Sequence, residues 1–396
     1  MAAIIAFALT SVPAWAAPLE DTQSLIPGFI PSISVSAKTD DNVLREGENP
    51  ISDTMIAADP GVKLVLLSGK HAFQAEYQGN WASYQSNPRE NYFDHTAKAQ
   101  LSLDLGMPYK LNILSDYMLS HEYRGHPGSR YTEEESADKY KQFSTGAEFM
   151  MGGWEDLAQL YVMAKDSSRS YTNNNQSARD RSEKTLNLSL YLNVGPRMRV
   201  YAGGQSQSFN YKSSDAYVFE NSKNVMTSNL DSVDSYYFAG LLWDITGLTK
   251  GSIRAGYASK RMLNSQNANY SGVALDFDLR WSPVERTTIV FKLGRRTSES
   301  NDIRASYILV NQGGVRVERE LTGRLSMSAT LEEERDSYSG INREDRYTFG
   351  GLALTYEALH WLKASGGFRL DSRNSSDSAL NYRANMFTLV LTAEGL

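Results

Sequence analysis

Apolar and polar residues take turns along most of this chain, in segments of about ten residues, the period of strands with one dry and one wet face. Ala97, Ala99, Leu101, Leu103 and Leu105 form one apolar row, with Lys98, Gln100, Ser102 and Asp104 between them. Leu186, Leu188, Leu190, Leu192 and Val194 form a second, and Val273, Leu275, Phe277, Leu279 and Trp281 a third. Ile289, Phe291 and Leu293, then Leu325, Met327, Ala329 and Leu331, continue the pattern. No comparable stretch carries a helical period, although a mixed fold of this length would contain several.

The connectors between these segments alternate in kind. Tight ones fall at 68–70, 106–108, 152–153, 195–196, 246–248, 282–283, 322–323 and 358–360, most with the Gly or Pro that sets turn dihedrals. Longer polar ones fall at about 39–57, 86–91, 122–139, 166–182, 212–234, 260–269, 297–305, 336–345 and 371–382. Eight tight turns and nine long loops join about 18 strands that start and end on one side. The prediction is an all-β fold: a transmembrane antiparallel β-barrel with short periplasmic turns and long extracellular loops in an outer membrane.

Composition adds the compartment. Met1 to Thr10 is almost wholly apolar and leads to Ala14-Trp15-Ala16, a small-residue cleavage pattern. The expected division is a signal peptide over 1–16, a short periplasmic segment over 17–29 and the barrel over 30–396. The chain has no Cys, which removes disulfides, thiolate metal sites and a lipid-modified cysteine. No later segment has the roughly 20 apolar residues of a spanning helix. Trp81, Trp154, Trp243, Trp281, Tyr356 and Trp361 lie near predicted strand ends, as interfacial girdles require; Trp243, Trp281 and Trp361 neighbour tight turns and are expected on the periplasmic side. A net charge of −6 gives no reason to expect nucleic acid as a partner.

The wet face of the second half carries Arg254, Arg280, Lys292, Arg296, Arg316, Arg324, Lys363 and Arg369 among Asp244, Asp276, Asp278, Glu318 and Glu332. Two readings stand: a hydrated solute path along basic residues, or a cross-strand charge network that stiffens the wall. Tyr191 and Tyr347 share that face and could stack on sugar rings or pack against an inward loop. No chemistry-bearing constellation emerges. The five His are scattered, His121 and His126 having a spacing unlike a helical ligand pair; Glu133 to Glu135 and Glu332 to Glu334 read as solvated runs; no G-x-S-x-G elbow occurs. No catalytic, cofactor or metal residue is assigned, and the chain is not expected to be an enzyme.

Several short pieces in order, Asp40-Asp41-Asn42-Val43-Leu44-Arg45, Ser52-Asp53, Asp59-Pro60-Gly61, the strand Phe73 to Tyr77, Tyr84 and Asp94-His95, resemble the start of the beta-barrel porin 2 family, found among exopolysaccharide export and biosynthesis proteins. The resemblance implies an outer-membrane exit channel for an exopolysaccharide or capsular polysaccharide. Its partners would be the lipid bilayer, the polymer, a periplasmic polysaccharide-export protein and the barrel assembly machinery. A general or small-solute porin and a surface barrel that anchors polysaccharide are the alternatives. One departure is the end, Glu394-Gly395-Leu396, where such barrels commonly finish on an aromatic residue. Leu396 is out of parity with the row Phe387, Leu389, Leu391, so either the last strand stops near Ala393 or the assembly signal is degenerate.

Overall fold

The computed structural model describes residues 25–125, 136–153, 156–212, 217–220, 223–226, 229–244, 247–300, 302 and 304–395. Eighteen strands pair into one antiparallel sheet that closes on itself. They are β1 (Gly28–Asp40), β2 (Asp53–Ser68), β3 (His71–Tyr84), β4 (Tyr92–Asp104), β5 (Tyr109–His121), β6 (Lys139–Met151), β7 (Ala158–Tyr171), β8 (Arg181–Gly195), β9 (Met198–Tyr211), β12 (Ser232–Asp244), β13 (Thr249–Met262), β14 (Tyr270–Trp281), β15 (Thr287–Ser298), β16 (Tyr307–Glu320), β17 (Leu325–Ser339), β18 (Arg343–Leu359), β19 (Leu362–Ser375) and β20 (Tyr382–Glu394). A small hairpin, β10 (Tyr217–Glu220) with β11 (Lys223–Met226), sits in the connector between β9 and β12. Each barrel strand pairs with its sequence neighbours, and β1 closes the ring on β20 from Ser32 opposite Glu394 to Asp40 opposite Met386.

The predicted apolar rows all point outward. Leu188 is 53% exposed and Leu389 68%, while Asn187 and Ser189, facing the other way, are buried. In water such a surface would be untenable; against hydrocarbon it is the stable arrangement, and the closed ring leaves no backbone group unpaired at an edge. Trp81, Trp281 and Tyr356 are exposed near strand ends, with Trp243, Trp281 and Trp361 at the short-turn end. Trp154 lies outside the described residues, as do the signal and cleavage positions.

One end of the barrel is closed by eight connectors of two to six residues and the other carries nine of three to twenty. Gly69 takes φ +57 in the two-residue turn between β2 and β3, a left-handed conformation that costs glycine nothing. At the long-loop end the strands run further than hydrophobic periodicity predicts. The connector expected at 336–345 is strand except for 340–342, where Gly340 has φ +98. Above the apolar band the outward positions become Glu333, Arg335, Glu344 and Arg346, so alternation in hydropathy vanishes while the pleat continues. The hairpin is held from inside: Asp345 accepts from Arg343 Nε at 3.1 Å, from Ser375 Oγ at 2.6 Å and from the Tyr347 hydroxyl at 3.2 Å. At the other end β20 stops at Glu394, and its outward row ends at Ala393.

Candidate solute pathway

Loops at the long-loop mouth turn inward. Gly125, just past β5, accepts a hydrogen bond at 2.9 Å from the hydroxyl of Tyr382, which opens β20 with β1 to β4 lying between. Arg124 beside it forks onto Glu90 with Nε at 2.9 Å and Nη2 at 2.8 Å. The other flank of that loop is pinned by Arg179, whose Nη1 donates to Asp138 at 2.9 Å and whose Nη2 meets Glu122 and the Tyr171 hydroxyl. From the opposite side Glu299, after β15, accepts from Tyr211 at the end of β9 and from Lys260 on β13. Lys260 also donates to Asp234 at 3.0 Å and lies 4.4 Å from the centre of the Phe209 ring. A lysine whose side chain has no exposure is tolerable only because two carboxylates and a ring face surround it.

Below the mouth the lumen wall divides into two kinds of surface. From β6 to β13 the inward residues nearer the short turns pack on one another: Met150, Tyr161, Tyr191, Tyr201 and Phe238 form a buried cluster. Tyr191 stacks on Tyr201 at 5.1 Å, Arg199 lies over Tyr191 at 5.3 Å, and Arg254 over Tyr236 and Phe238 at 4.6 and 4.9 Å. Elsewhere the same face is wet, with Glu76, Lys98 and Arg280 exposed.

The basic residues singled out by sequence do not form one line. Arg254 faces inward but is sealed beneath the aromatic cluster, with Nε 3.0 Å from Asp276; it belongs to the packing of the wall. Lys292 stands 3.5 Å from Asp278, and Lys292, Arg316 and Arg369 all act electrostatically on Glu332. Arg369 also donates to Asp371 at 2.6 Å. Arg296 lies farther up β15, towards the long loops. Arg280 and Lys363 sit near the short-turn ends of β14 and β19, and Arg324 lies outside the strands, exposed in the turn between β16 and β17. Tyr191 and Tyr347 are both covered, which removes them as stacking platforms for a passing solute. Lys63, Glu76, Asp116 and Lys165 on the wet wall were missed by sequence reasoning; their parity was readable, their cross-strand alignment was not. Among the described residues no group of three or more His, Asp or Glu is disposed to hold a metal. Glu332 and Glu334 face inward while Glu333 faces outward to Arg346, and Glu133 to Glu135 lie outside the described residues.

At the mouth, Asp53 begins β2 beyond the apolar band. Partial burial pushes its carboxyl up, but hydrogen bonds from the Asn87 side chain at 2.8 Å and from the Ser86, Thr54 and Asn87 amides outweigh this and hold it below the usual carboxylate range.

This wall of eighteen strands, apolar without and polar within, can be set against known proteins. The family described as "Putative beta-barrel porin 2" matches residues 28–394, from the first strand to the last. The chain belongs to that family. The porin is an outer-membrane barrel, and its fold is similar to solved porins of that membrane. Pseudomonas aeruginosa OccK3 (OpdO) matches at TM-score 0.50 and 10% identity, over 94% of this chain and 97% of that one. OccK2 (OpdF) from the same organism, solved with glucuronate, matches at 0.50 and 11%, over 93% and 98%. The FrpB iron transporter of Neisseria meningitidis matches at 0.50 and 10% over 89% of this chain, which spans 63% of the length of that protein. At such identities the likeness concerns fold alone. No curated protein matches the porin.

Proposed function

We propose that this porin is a diffusion channel for small hydrophilic solutes. The observation that carries the reading is the pair of tethers at the mouth, Gly125 to Tyr382 past four strands and Glu299 to Tyr211 past three, with Lys260 fastening Glu299 from one strand away. Loops bonded across an opening narrow it, which suits a solute of a few ångströms and hinders a hydrated polymer. The wet wall supplies weak, repeated polar contacts, so a solute is admitted without being held. Lys292, Arg316 and Arg369 stand against Glu332, Asp278 and Asp371 midway, so neither sign of solute is barred there. Polysaccharide export, which the family resemblance implied, rests on that resemblance alone; the same holds for a periplasmic export partner.

Swelling of proteoliposomes in a graded series of neutral sugars tests the reading. Mono- and disaccharides are expected to enter and longer oligomers to be excluded. Lys260→Met with Tyr211→Phe removes both of these donors to Glu299, freeing the loop, and is expected to raise single-channel conductance. Free passage of long oligosaccharides through the unaltered protein, with loss of extracellular polysaccharide from a strain lacking the gene, would return the assignment to export.

A further inference from the structure

We propose that Lys63, Glu76, Lys98, Asp116 and Lys165, one row on the lumen face of β2 to β7, form a binding track for small zwitterions of the amino-acid type; this rests on the diffusion-channel reading above. The register creates the row. Lys63 stands opposite Glu76, Glu76 opposite Lys98, and Lys98 opposite Asp116. On β6 the sequence of charges is interrupted by Ser144 and Gly146, opposite Asp116 and Lys165 respectively. Lys165 reaches over that gap to Asp116, Nζ to Oδ2 3.6 Å. A Cβ at position 146 would come within 2.9 Å of the Ala164 carbonyl oxygen and 3.4 Å of the Lys165 side chain, so glycine keeps the passage clear.

Two features separate this row from a random scatter of lumen charge. First, every member is flanked two residues away on its own strand by uncharged residues: Gly61 and Val65, Gln74 and Gln78, Thr96 and Gln100, Leu114 and Met118, Met163 and Ser167. Second, the row is open to water: the Lys165 and Asp116 side chains are 43% and 41% exposed, where Lys260 has none.

Alternation decides which solute gains. An anion resting on Lys98 meets Glu76 and Asp116 on either side; a cation on Glu76 meets Lys63 and Lys98. Partners on adjacent strands lie about 5 Å apart, so each favourable contact is opposed by two unfavourable ones nearly as close. A molecule carrying an ammonium and a carboxylate a few ångströms apart lies along the row with each end against its opposite. A unit-charge contact at about 5 Å in water changes local occupancy by about fourfold. A mere strand fastener would instead hold its charges in closed, dehydrated pairs.

The test uses the full chain in proteoliposomes, comparing swelling with β-alanine, a zwitterion, and erythritol, a neutral solute of similar size. Replacing the row by Lys63→Gln, Glu76→Gln, Lys98→Gln, Asp116→Asn and Lys165→Gln is expected to lower the β-alanine to erythritol ratio about fourfold while erythritol uptake holds. Lys98→Gln alone, which leaves the wall intact, is expected to lower it in the same direction. An unchanged ratio in both variants overturns the track and leaves the porin standing. If neither solute enters through the unaltered protein, the diffusion-channel reading falls and the track with it.

Discussion

Two arcs of one wall, built from the same alternating strands, do opposite things with their inward residues. Around β8, β9 and β12 those residues are Asn187, Ser189, Tyr191, Tyr201 and Phe238, packed to near-complete burial. Around β3, β4 and β5 they are Glu76, Lys98 and Asp116, standing in water. Binary pattern is the same in both arcs, so pattern does not decide which is dry. Size and shape do: rings on adjacent strands come within stacking distance and close over the polar groups behind them, whereas Glu, Lys and Gln extend separately into solvent. Pore area is therefore set by where the aromatics fall as much as by strand number.

The largest blow to this contrast is a charge forced into the dry arc. Ser189→Lys is expected to cost about 3 kcal/mol or more in urea unfolding from lipid, since the ammonium would be buried without a partner and the cluster overpacked. Gln100→Lys on the wet arc is expected to stay within about 0.5 kcal/mol. Equal losses at the two positions would show that the arcs do not differ. Phe238→Ala should cost about 3 kcal/mol, the lower end for a buried ring, because water can fill the space from the lumen. Its single-channel conductance should rise; an unchanged conductance would mean that the aromatic cluster does not narrow the pore.

A smaller effect, on selectivity alone, is expected from Lys292→Gln, Arg316→Gln and Arg369→Gln together. The reversal potential in a salt gradient should move towards cations, because Glu332 then acts unopposed. A shift towards anions or none removes these three from the pathway. The smallest concerns the rim. Asp53 has a folded pKa below the ordinary 3.8, so its stabilisation is fully present above that value and is lost as pH falls through the folded one. Protection of the Ser86 and Asn87 amides, taken relative to the intrinsic exchange rate at each pH, should be full at pH 5 and fall in stronger acid, with Asp53→Asn less dependent on pH. Identical pH profiles for the two proteins would exclude Asp53 as the cause.

Much of this architecture is legible from residue order. The outward rows from Ala97 to Leu331 and the alternation of short and long connectors both follow from local chemistry, and both are what the strands do. Where polar residues occupy both faces, as at Glu333 to Arg346, periodicity is silent and the strands run on unseen. The pathway was less legible. Parity placed Arg254 and Lys292 on one face without distinction, yet one is sealed under Tyr236 and Phe238 and the other stands partly exposed against Asp278. That difference, like the alignment of Glu76 with Lys98, depends on neighbouring strands and on register, which a single strand does not carry. Loops such as 297–305 read as polar connectors; that Glu299 would reach Tyr211, 88 positions earlier, has no local signature.

The seam between β1 and β20 has a consequence for how the barrel comes into being. Ser34 and Thr392 share a hydrogen bond of 2.9 Å across 358 positions of sequence. No intermediate lacking the last strand can close, and until it arrives two strand edges stay open to pairing with the wrong neighbour. Contacts so distant in sequence form late and slowly. Birth, for this barrel, is a race between its final hairpin and every other edge within reach.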